Sequence, residues 1–123
     1  MKTWDTKSLD VEPHHPEILW TDHAARVIAL NLRAGEELGE HEVHEQAFVI
    51  VVDGRIEVEA NGETAAGGVG FVAQFAAHER HEVRATEDAR LLLMLAPWPG
   101  DGHPGAMSLE EKQNARELAR ERR

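Results

Sequence analysis

The 123-residue chain contains no cysteine and no tyrosine, and its only serines are Ser8 and Ser108. Without cysteine there are no disulfides, no thiolate metal ligands and no thiol nucleophile. Without tyrosine no phenol can serve as a general acid, which leaves histidine and glutamate as the evident acid–base groups. Positive charge is also scarce. A formal net charge of −10 denies the chain the basic face that nucleic acid or an anionic membrane would need. The longest apolar run, LLLMLAPW at 91–98, is far below the roughly 20 residues of a membrane-spanning helix. The opening residues MKTWDTKSLDVEPHHPE lack the apolar centre of a signal peptide, so a cytoplasmic protein is expected. No glycine-rich junction between a strand and a helix offers a cradle for phosphate.

What the chain does contain is short β-type runs between glycine turns. Residues 1–17 hold Pro13 and Pro16 around His14 and His15 and read as an extended arm. From 18 to 96 the runs ARVIALNL, QAFVIVV, RIEVEA, GFVAQF, HEVRAT and RLLLMLA follow one another at the spacing of sandwiches and barrels. QAFVIVV is almost continuously apolar, which predicts a strand buried on both faces. Asp53-Gly54 predicts a hairpin into RIEVEA, and Asn61-Gly62 predicts a second tight turn. The tail, 97–123, begins with the proline-rich PWPGDGHPG. It continues into a short C-terminal helix, marked by the Ser108/Glu111 capping box and the helix formers that follow. Trp4, Trp20 and Trp98 read as packing residues that seal the arm and the tail against the barrel.

Two pentapeptides carry the chemistry: HEVHE at 41–45 and HERHE at 78–82. A helical zinc-protease site needs histidines four apart, whereas these are three apart and run into strands. On strands, alternate residues share a face. His41, Val43, Glu45, Ala47 and Val49 then face one side, with His44 and Gln46 on the other, and His81 shares a face with Val83 and Ala85. His41 and His81 can both point inward, and His44 can join them only through a bulge or turn between 41 and 44. The remaining histidines, His14, His15, His23 and His103, read as surface residues.

Over about residues 25–96 the chain resembles a small single-domain cupin. The first cupin motif, G-x5-H-x-H-x3,4-E-x6-G, falls on Gly35, His41 and Gly54, with Val43 in place of the second histidine and Ala47 in place of the glutamate. The second, G-x5-P-x-G-x2-H-x3-N, falls on Gly70 and His81. Ala76, His78 and Ala85 stand where proline, glycine and asparagine are usual.

The resemblance implies an all-β fold, a cupin-type antiparallel β-barrel or jelly roll, with the N-terminal arm and C-terminal helix appended, and pairing as a homodimer. It also implies a divalent transition metal (Fe, Ni, Zn, Cu or Mn) as cofactor. The metal-site expectation is His41, His44, His78 and His81, with Glu45 as the catalytic base or a further ligand. Two function classes follow. One is a metal-dependent oxygenase or lyase acting on a small metabolite. The other is a non-catalytic barrel that binds or senses a small molecule without metal.

Overall fold

The computed structural model describes residues 1–104, and of Glu40 and His41 the backbone alone. The expected C-terminal helix lies outside the described residues. The described residues form nine strands: β1 (Glu17–Thr21), β2 (Arg26–Leu32), β3 (Glu37–His41), β4 (Gln46–Asp53), β5 (Ile56–Ala60), β6 (Glu63–Gly67), β7 (Val72–Phe75), β8 (His81–Ala85) and β9 (Ala89–Ala96). They form two antiparallel sheets, ordered β1-β2-β9-β4-β7 and β3-β8-β5-β6. This is the jelly-roll arrangement of the expected all-β class. Among the described residues no helix is long and apolar enough to cross a membrane.

The core lies between the sheets. Leu30, Leu32, Ala47, Val49, Val51, Phe75 and Leu91 come from one sheet and Ile56, Val58, Val83 and Ala85 from the other, all buried in one cluster. Alternation explains which residues turn inward, because successive side chains on a strand point to opposite faces. In β4 the pattern corrects the sequence expectation. Ala47, Val49 and Val51 are buried, but Phe48, Ile50 and Val52 are only half-buried, so the apolar run has one inner and one outer face.

A second correction concerns Asp53-Gly54. The turn is there, with Gly54 at φ +78°. It does not close a hairpin, however: β4 pairs with β7 and β9, whereas β5 pairs with β6 and β8. The turn hands the chain from one sheet to the other, and a Cβ at Gly54 would overlap the carbonyl of Asp88. Asn61-Gly62, by contrast, joins β5 to β6 with both residues at positive φ, +55° and +77°, as a two-residue type I′ hairpin requires.

The arm is tied to its own barrel. Asn31 Nδ2 donates to Val11 O at 2.7 Å, and Arg90 donates to the carbonyls of Thr6 and Lys7 at 2.9 and 3.0 Å. Trp98 packs as expected, under the Arg26 guanidinium at 3.8 Å. Trp20, though exposed at 38%, meets the arm through Lys2, whose Nζ lies 4.4 Å from its ring centroid, whereas Trp4 is exposed at 43%, which corrects its reading as a seal.

Candidate functional site

β8 begins at His81, whose side chain is buried at 4% exposure and stacks flat on Phe75 of β7, with centroids 3.9 Å apart and planes 7° apart. Its Nδ1 lies 3.0 Å from the carbonyl of Glu79. A carbonyl only accepts, so Nδ1 carries a proton and donates it to that carbonyl. Directly across the β3–β8 ladder, His41 is the register partner of His81. A register shift between Leu38 and His41 disrupts β3 there, and the chain leaves the sheet before β4 starts. The irregular segment allowed for in the sequence is therefore present between 41 and 44.

That segment does not bring the whole histidine set around His81. His44 meets His78 edge to face, with centroids 5.1 Å apart, and meets His103 likewise at 5.5 Å. Among the described residues, which omit the His41 side chain, no three or more His, Asp or Glu groups are placed to hold a metal ion. At the motif positions where cupins supply a histidine and a glutamate, Val43 packs against the core and Ala47 lies within it. Neither hydrocarbon side chain can donate to a metal. The donor set inside this barrel does not fit the four-ligand centre that the family pattern implies.

Glu45 is buried at 2% exposure, and its Oε2 accepts a 2.6 Å hydrogen bond from Gly100 N. The carboxylate thus ties the tail after β9 to the start of β4. Gly100 fits there because it lacks a side chain: a Cβ would overlap the carbonyl of His44. The same tail presents Trp98 and His103, whose rings meet at 4.6 Å. His103, read from sequence as a surface residue, is therefore a neighbour of His44. Spacing within DGHPG could not reveal this. The one available signal is that the tail leaves β9 at Ala96, which pairs with Gln46. His44 Nδ1 is buried with no hydrogen-bond partner, a state that costs about 1–3 kcal/mol when nothing compensates it.

Two clefts adjoin at the β5–β6 turn, and His81 lines the smaller of them. One, of about 370 Å³, lies between the β5–β6 hairpin and β7, with walls of Val58, Ala60, Phe71, Ala73 and Phe75 and with Gln74 at its edge. The other, of about 310 Å³, is lined by His81, Arg80, Glu82 and the Asn61-Gly62 turn. Ala60 and Asn61 border both. Glu79 sits across the first cleft: its Oε2 accepts from Asn61 Nδ2 at 2.7 Å and its Oε1 from Ala76 N at 2.9 Å. Sequence reasoning named neither as a site residue: Asn61 read only as part of a tight turn, and Glu79, although inside HERHE, was passed over for the histidines on either side of it.

Residues 29–96 match the family model for the cupin domain. A search of curated proteins found no match. Solved structures are similar in fold. An RmlC-like cupin protein from Desulfovibrio desulfuricans is 20% identical with a TM-score of 0.70, the match covering 79% of this chain and 97% of that one. KdgF from Halomonas sp. is 24% identical with a TM-score of 0.65, covering 72% and 85%. A cupin superfamily protein from Desulfitobacterium hafniense is 12% identical with a TM-score of 0.68, covering 75% and 86%.

Proposed function

Because this chain belongs to the cupin family, we propose that it binds a small molecule across the two clefts that meet at Ala60 and Asn61, with His81, which lines the smaller one, as the polar recognition group. The observation that carries this reading is the fixed imidazole of His81: buried, stacked on Phe75 and held through Nδ1 by the Glu79 carbonyl. A side chain locked in this way presents a fixed polar edge to the smaller cleft, beside the more apolar one, a composition usual for a ligand site. The larger cleft's apolar walls, interrupted by Glu63, Thr64, Gln74 and Glu79, suit a compact ligand with an apolar body and a polar group that reaches His81 in the smaller one. Pairing of two copies is part of the same proposal. It would use the outer edge of β1, where Ile18 and Trp20 are exposed at 49% and 38%.

The competing reading is a metal-dependent oxygenase or lyase. It is favoured by the register pairing of His41 with His81. Against it stand Val43 and Ala47 at the positions of the other two donors.

Ligand-observed NMR screening of small apolar alcohols and acids tests the proposal, repeated on His81→Phe, which keeps the stack on Phe75. Binders are expected to shift Phe71 and Ala73 amides and to weaken about tenfold in the variant, the equivalent of one hydrogen bond. Shifts mapping elsewhere, or equal affinity in the variant, would remove His81 from the role. Elemental analysis of untagged protein decides the metal question. About one transition ion per chain, lost in His81→Phe, would establish the metal-dependent reading instead.

A further inference from the structure

We propose that the cleft between the N-terminal arm and the far end of the larger sheet is a second binding site, for a small organic oxyanion that also carries hydroxyl groups. Its charged group would sit among Lys7, Arg33 and Arg90. The cleft has a volume of about 300 Å³ and is lined by Lys7 and Pro13 of the arm, the ends of β2 and β4 and the start of β9. It shares no residue with the two clefts at the β5–β6 turn. His81 opens β8, whereas this cleft lies beyond the other end of that strand, where the chain passes from β8 into β9.

Charge is the first argument. The chain is strongly acidic, and residues 1–104 hold only eight lysines and arginines. Three of the eight line this one cleft. Among the described residues none of the three pairs with a carboxylate, in contrast to Arg84, which meets Glu57 at 3.4 Å.

The second argument is the posture of Arg90, which is half-buried. It is the register partner of Asn31 on one side and of Asp53 on the other. Its guanidinium takes uncharged acceptors only. Nε donates to Asn31 Oδ1 at 2.8 Å, and Nη1 donates to the carbonyls of Thr6 and Lys7 at 2.9 and 3.0 Å. Nη2 donates to no described group, so the cation keeps an uncompensated charge and two free N–H groups. A guanidinium fixed before its ligand arrives is preorganised for an oxyanion.

Asp53 and Asp88 in the lining set the rest of the ligand's chemistry. Each commits one oxygen to backbone: Asp53 Oδ1 accepts from Gly54 N at 3.0 Å, and Asp88 Oδ1 accepts from Ala34 N at 2.8 Å. Their other oxygens remain as acceptors for hydroxyl groups. Three cations against two carboxylates favour an anion, and the acceptors favour one that is hydroxylated.

The test is calorimetric titration and amide NMR of the full chain with glycerate and glycerol phosphate, with glycerol and inorganic phosphate as controls. Saturable binding of at least one of the two acids is expected, with shifts at the Asn31, Leu32 and Ala89 amides. Which acid binds tells whether the cations read a carboxylate or a phosphate. Glycerol should not bind, and inorganic phosphate should bind more weakly than the better acid. Lys7→Gln and Arg33→Gln should each weaken binding about threefold. Both leave the arm's hydrogen bonds intact, because Arg90 holds the carbonyl of Lys7 and not its side chain. Arg90→Lys, which keeps the charge but loses the fork, should cost at least about tenfold. Binding should be unchanged in His81→Phe, which separates this site from the function proposed above. No saturable binding of either acid, or wild-type affinity in Lys7→Gln or Arg33→Gln, would overturn the proposal and leave Arg90 as a latch for the arm alone. Equal affinity for glycerol or inorganic phosphate, or loss of binding in His81→Phe, would overturn it as well.

Discussion

Asn61 donates through Nδ2 to Glu79 Oε2 at 2.7 Å, joining the β5–β6 turn to the β7–β8 loop across the mouth of the candidate cleft. Glu79 also caps the loop through Ala76 N and supplies the carbonyl that fixes His81. One residue therefore sets both the width of the mouth and the orientation of the buried imidazole.

Glu79→Ala removes two carboxylate hydrogen bonds but retains the backbone carbonyl. Urea denaturation should show a loss of about 1–2 kcal/mol. Asn61→Gly keeps the positive φ and loses only the bond to Glu79, so its cost should be smaller. Equal stability of wild type and Glu79→Ala would show that the mouth is not held by this side chain.

Glu45→Ala should cost more, about 2–3 kcal/mol, because it leaves the buried N–H of Gly100 without an acceptor. Hydrogen exchange at the Gly100 amide should accelerate in parallel. Gly100→Ala is expected to release the same tail by a different route, since its Cβ would overlap the His44 carbonyl. Protected exchange at residue 100 in either variant would contradict this account of the tail.

Gly54→Ala meets two obstacles, a φ of +78° and overlap with the Asp88 carbonyl. A loss of about 2–4 kcal/mol in thermal or urea unfolding is expected, above the roughly 1 kcal/mol of positive φ alone. A loss confined to about 1 kcal/mol would mean that the Asp88 backbone yields easily.

Asp22 holds its carboxyl below the ordinary value of 3.8, chiefly because it accepts hydrogen bonds from Ala24 N and then Ala25 N. A depressed folded value makes the carboxylate stabilising above the unfolded value, and that contribution is lost as pH falls through the folded one. NMR titration of the Asp22 carboxyl should therefore give a midpoint under 3.8. In Asp22→Asn, the Ala24 amide should lose its acid-range shift. A midpoint at or above 3.8 would dissolve the argument.

Much of the fold is legible in local pattern. β2, β4, β5 and β9 each follow an apolar run, and Asn61-Gly62 announces its hairpin. β6 reads ETAAG and is exposed at four of its five positions, so only its pairing with β5 makes it a strand. β1 and β3, EILWT and ELGEH, carry too little alternation to stand out. Asp53-Gly54 is a true turn signal, but which sheet receives the next strand depends on long-range pairing that no two-residue motif encodes. The histidines show the same limit. His81 falls where period-two alternation places it, whereas His44, His78 and His103 sit in irregular segments where that rule does not apply. Burial of Glu45 depends on a tail that returns from 55 residues away.

The order β2-β9-β4 has a consequence for synthesis. The strand at the centre of the larger sheet is the last of the nine to leave the ribosome. Until it emerges, β2 and β4 have no common neighbour and their facing edges stay open. A nascent chain stalled before residue 89 would carry a nearly finished smaller sheet beside two unjoined halves of the larger one. Closure is thus deferred until residues 89–96 have emerged, and deleting that one strand should unzip the larger sheet from its middle.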